Sequence, residues 1–120
     1  MISDYFREVE MRIENSKVVA DKSVDFREFT PLEGMLIGRL LFVDGSLLEF
    51  MEYLKGDERL KYRFHLMDKE GEMIFRYDNA PHHEVSTFPR HKHLPGVVEE
   101  SKEKCISDIL DEVEMRFFEH

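Results

Sequence analysis

The 120-residue chain reads as a single α+β domain: an antiparallel meander of four to five strands, with N- and C-terminal helices packed on one face. Three observations predict it. Apolar residues recur at helical spacing at both ends, alternate with a period of two in between, and turn signals containing glycine divide the alternating runs. The length suits one domain, 1–120, and a hydrophobic content of 42% supplies its core.

Residues 3–16 form the first predicted helix, because Ile2, Phe6, Val9 and Ile13 make one apolar stripe and Ser3 is placed to cap it. Val18-Val19, Val24 and Phe26 suggest an irregular first strand that ends at Thr30-Pro31. Met35 to Val43 is apolar on both faces except at Arg39, as a central strand would be. Asp44-Gly45 predicts a two-residue hairpin turn, and Ser46 to Leu54 returns with Glu49 and Glu52 on opposite faces. Leu60, Tyr62, Phe64 and Leu66 then alternate with polar residues. Beyond the Asp68-Lys69-Glu70-Gly71 turn, Met73, Phe75 and Tyr77 do the same. Pairing Met67 with Glu72 sets His65 opposite Ile74 and Arg63 opposite Arg76, two like charges that want an anion between them. Residues 79–96 have no sustained period and are punctuated by Pro81, Pro89 and Pro95, so they are expected to be irregular. The last helix spans about Ser101 to Phe118, with Ile106, Ile109, Leu110, Val113 and Phe117 on one side and Cys105 just inside it.

Composition narrows the function. A lone Cys105 allows no internal disulfide and fits a reducing compartment, while Met1-Ile2-Ser3-Asp4 lacks the features of a secretory signal. Apolar runs such as Leu40 to Val43 are too short to span a bilayer, so a cytoplasmic protein without membrane attachment is expected. The net charge of -9 excludes a broad, nonspecific nucleic-acid surface. The stretch from Arg76 to His93 is the exception. It holds Arg76, Arg90 and Lys92 against Asp78 and Glu84, and four of the six histidines.

That stretch carries the candidate chemistry. His82-His83 and His91-Lys92-His93 lie about nine residues apart in a segment leaving a sheet edge, and folding back would bring the pairs together. Two imidazoles at one place can serve as general base and general acid, and Arg63, His65, Arg76, Arg90 and Lys92 can hold and neutralise a phosphoryl group. His82, His83, His91, His93 and Asp78 are therefore the expected catalytic residues of a metal-independent ribonuclease that needs no cofactor, with RNA as substrate. The alternative is that His82, His83, His91 and His93 bind zinc, nickel or iron, with Asp78 or Glu84 as an oxygen ligand. Arg90 and Lys92 beside those ligands would repel a cation. A third reading makes the segment a non-enzymatic docking surface, and Asp78-Asn79 could also be a simple turn at the strand end.

At Arg76-Tyr77-Asp78-Asn79-Ala80-Pro81-His82-His83 and Thr87-Phe88-Pro89-Arg90-His91-Lys92-His93 the sequence resembles the TumE-like family of prokaryotic toxin–antitoxin proteins. Agreement extends through Gly38-Arg39, Asp44-Gly45-Ser46, Glu52-Tyr53, Lys61-Tyr62 with His65, and the acidic helix from Asp108 to Glu112, which together cover most of the chain. Two positions depart from the family pattern. Glu84 follows the first histidine pair where proline is common, and Arg90 stands where the second block usually begins with histidine. The resemblance implies a toxin with a cognate helix-turn-helix antitoxin as partner. The ribonuclease expectation comes from the residues themselves. The open edges of a short meander would also allow a homodimer.

Overall fold

A computed structural model describes residues 1–79 and 90–118. Helix α1 (Ile2–Glu14) leads into strands β1 (Val19–Thr30), β2 (Glu33–Phe42), β3 (Leu47–Lys55), β4 (Glu58–Met67), β5 (Met73–Asp78), β6 (His91–Leu94) and β7 (Val97–Glu100), and helix α2 (Ile106–Phe118) closes the chain. The strands form one sheet in sequence order, every neighbouring pair antiparallel.

Among the described residues the meander therefore has seven strands, not four or five. Of the additional pair, β6 lies in the stretch expected to be irregular and β7 directly follows it. Both strands are four residues long, and β6 reads His-Lys-His-Leu, so no apolar alternation announces it. Pro95-Gly96 joins the two, with Gly96 at φ 79°, a conformation that glycine adopts without a Cβ penalty.

Both helices lie on one face. Ile2, Phe6, Val9 and Ile13 of α1 and Ile106, Ile109, Leu110 and Val113 of α2 are buried against Leu36, Leu40, Leu48, Phe50, Phe64, Leu66, Phe75 and Tyr77. Arg12 clamps the two helices, reaching Asp111 at 2.9 Å and Glu114 at 3.0 Å, and the Ser16 hydroxyl donates to Glu114 at 2.7 Å. Gly38 lets the Phe50 ring lie directly on β2, where a Cβ would stand 2.4 Å from the ring.

Several local expectations are corrected. Ser3 is inside the first turn of α1, and Met1 holds the N-cap position. The Asp44-Gly45 connection is a four-residue loop, Val43 to Ser46. Asp44 accepts hydrogen bonds from the Ser46 amide and hydroxyl there, and only Gly45 has positive φ. Cys105 precedes α2, its amide donating to Asp108 at 3.0 Å. The β4–β5 loop runs from Asp68 to Glu72, closing on Met67↔Met73, and an irregularity follows between Leu66 and Met67. This moves the register by two residues. Arg63 stands opposite Asp78 and His65 opposite Arg76.

Candidate functional site

Directly paired residues of an antiparallel ladder point to the same face. One row crosses the helix-free face from β2 to β6: Arg39↔Glu49, Glu49↔His65, His65↔Arg76, Arg76↔His93. The next row contains Arg63↔Asp78 and Asp78↔His91. Three strands thus bring Arg63, His65, Arg76, Asp78, His91 and His93 onto one surface, though they lie up to 30 positions apart in the chain.

Asp78 is the hub. One carboxylate oxygen, Oδ1, lies 2.6 Å from His91 Nε2. The other accepts from Arg76 Nε at 3.1 Å and lies 3.5 Å from His93 Nε2. Asp78 is buried within β5 and is no turn residue; Asn79 after it takes the local role, accepting from the Tyr62 amide and donating to the Leu60 carbonyl. Arg76 also contacts His93 Nε2 at 3.0 Å. A guanidinium can only donate, so His93 Nε2 accepts and the ring is neutral in this arrangement. The two imidazoles meet edge to face, with centroids 4.7 Å apart.

Exposure separates their roles. The His91 side chain is 0% exposed, whereas His93 is 11% and Arg76 28% exposed. His91 is fully buried against Asp78, His93 is largely buried, and Arg76 is the most exposed of the three. His65, across from Arg76, has its pKa lowered from the ordinary 6.5, first by burial and then by the charges of Arg76 and Arg63. Its neutral form is favoured.

Not every expected residue joins. Lys92 lies on the opposite face, donating to Glu112 of α2 at 3.3 Å and lying 4.9 Å from the Tyr77 ring centre. Arg90 is exposed just before β6. His82 and His83, with Glu84, lie outside the described residues.

The donor atoms of Asp78, His91 and His93 all lie within 4.8 Å of one another, and one carboxylate with two imidazoles suits zinc or another transition metal by chemistry. Arg76, however, places a guanidinium on two of those three donors. A metal would have to displace a cation already in place.

The sequence reading passed over a second polar cluster, on the helix-bearing face. Glu52 is 0% exposed, and its Oε1 accepts from Tyr5 at 2.6 Å and from Arg59 at 2.8 Å. Arg59 stacks 4.6 Å from the Tyr62 ring centre, and burial followed by the Glu52 charge pushes the Tyr5 phenol pKa up. The signal was present: Glu52 falls on the core phase of β3, between Phe50 and Leu54.

Fold and site together define a small α+β protein whose helices cover one sheet face and leave a histidine–arginine–aspartate cluster on the other. The chain belongs to the family described as Toxin TumE, whose model matches residues 9–117. Membership of a toxin family implies an antitoxin partner. No curated protein and no solved structure matches the chain. Among the described residues, no helix is long and apolar enough to cross a membrane.

Proposed function

We propose that this chain exerts toxicity as a metal-independent ribonuclease on single-stranded RNA. The observation that supports the reading is the flanking of Arg76 by an imidazole on each side, His65 on β4 and His93 on β6. Two strand spacings separate the histidine backbones by about 10 Å, room for one phosphodiester between them. A phosphate drawn to Arg76 and Arg63 takes the guanidinium away from His93 Nε2. That nitrogen is then protonated beside Asp78.

Neutral His65 takes the proton of the 2′-hydroxyl, and that oxygen bonds to the adjacent phosphorus. The bond from phosphorus to the 5′-oxygen breaks, and His93 gives its proton to the leaving oxygen. The products are a 2′,3′-cyclic phosphate and a 5′-hydroxyl end. Arg76 and Arg63 balance the charge that develops on the phosphoryl oxygens. Asp78 and His91 position His93 and Arg76, Arg90 holds a neighbouring phosphate, and His82 and His83 are further candidates for proton transfer. Lys92 takes no part.

Losing a general acid or base costs about 10²–10⁴ in rate. His93→Ala and His65→Ala should each lose at least the lower figure in RNA cleavage and relieve growth inhibition. Parental cleavage rates in both variants would end this reading.

The donor triad supports one second reading, a bound zinc or similar ion held by Asp78, His91 and His93 after Arg76 swings away. Elemental analysis of tag-free protein decides it, with stoichiometric metal required. The cognate antitoxin is proposed to be a basic helix-turn-helix protein that docks against the acidic remainder of the chain.

A further inference from the structure

Strand β1 begins the sheet, and among the described residues no strand pairs with its outer edge. It is 12 residues long. Its register irregularities lie near the ends, between Val19 and Asp21 and between Glu28 and Thr30, and the ladder from Asp21 to Glu28 is regular. A long regular edge offers a row of backbone donors and acceptors to another strand. Its side chains decide which strand.

We infer that the occupant is a second copy of this chain, with β1 pairing antiparallel to β1 about a two-fold axis at Val24. In that register Asp21 of each copy faces Arg27 of the other. Ser23 faces Asp25, Lys22 faces Phe26, and the two Val24 side chains meet on the axis. Asp25 and Arg27 are exposed and already paired at 2.8 Å. Across the axis Arg27 gains a second carboxylate, Asp21 of the other copy. On the helix-bearing face Val24 and Phe26 are only half-buried, beside a notch of about 90 Å³ lined by Glu10, Ile13, Lys22, Val24 and Phe26. Val24 and the Lys22 stem of the second copy cover that notch.

Competing registers fail on charge or on face. Sliding by two residues one way sets Asp25 against Asp25, and the other way sets Asp21 against Asp25. Sliding by one residue puts the helices of the two copies on opposite faces and turns Val24 and Phe26 toward the charged side. Of these registers only the one centred on Val24 satisfies both, and a slide of four residues, which would set Asp25 against Arg27, carries the new ladder onto the irregularity between Glu28 and Thr30. The Val24 register buries no part of β4 to β6, so it stands apart from the ribonuclease reading.

Sedimentation equilibrium of the full chain at about 50 micromolar should give twice the 14.4 kDa chain mass. Asp21→Arg and Arg27→Asp should each raise the dimer Kd by about tenfold or more, and the double reversal should bring it back. A cross-link removes any dependence on the charge variants: in a Cys105→Ser background, Val24→Cys should form an intermolecular disulfide, because facing residues lie within bridging range. Phe29→Cys should not. A monomeric parent, a dimer indifferent to single reversals, a double reversal that stays apart, or no bridge at position 24 would each overturn the inference.

Discussion

His65 and Arg59 show how one side chain's surroundings set what it can do. Burial and the charges of Arg76 and Arg63 hold the His65 pKa below 6.5. If His65 is the base, the rising limb of the cleavage rate against pH lies below 6.5 and moves up in Arg63→Ala. The same depression affects stability. A histidine whose folded pKa lies below its unfolded value gives its full share above 6.5, and that share is lost as pH falls through the lowered value. Arg59 is a structural counterpart. Its side chain is 8% exposed against fully buried Glu52, so Arg59→Met leaves a buried carboxylate without its cation. That should cost about 3–5 kcal/mol in urea unfolding, with cleavage per folded molecule unchanged. Much of the site was legible at this scale, because four histidines and three basic residues crowd one short stretch of an acidic chain. The partner choices were not. A turn longer by one residue and a bulge after Leu66 put Asp78, not Arg76, opposite Arg63, and no periodicity encodes a bulge. Lys92 was misplaced for a related reason: within a strand, a residue between two site histidines must face away from them.

At the level of elements, the two helices hold the sheet through apolar stripes and one ionic clamp. Glu114 has its pKa held below the ordinary 4.5, first by its hydrogen bond from Arg12, with burial opposing and Ser16 assisting. A depressed carboxylate stabilises the fold above 4.5 and loses that contribution as pH falls through the lowered value. Glu114→Gln should therefore cost about 1 kcal/mol at neutral pH, the pair being partly solvated, and almost nothing near pH 3. Parallel denaturation curves at the two pH values check this. Gly38→Ala drives a methyl into the Phe50 ring and should cost about 1–3 kcal/mol. Elements with strong periods were readable: α1 and α2 through spacings of three and four, and β4 with β5 through alternation. Strand β6 was hidden because its inward and outward positions are all polar or charged up to Leu94, so burial of His91 and His93 leaves no hydrophobic trace.

Across the whole molecule, charge is divided between faces. The two helices carry eight acidic residues against three basic ones, while the open sheet rows from β2 to β6 set Arg39, Arg63 and Arg76 against Glu49 and Asp78 beside the histidines. An RNA strand is repelled from one side and admitted on the other. With about three phosphate contacts, the logarithm of affinity should fall against the logarithm of salt with a slope of about -2, and Arg63→Ala should lessen that slope by about 0.7. A much steeper slope would mean a larger basic surface than this chain has. The most direct test of the proposed chemistry is the fate of a labelled single-stranded RNA incubated with purified protein in EDTA. Fragments ending in 2′,3′-cyclic phosphate, lost in His93→Ala, are the predicted result. RNA left intact until zinc is added would contradict it.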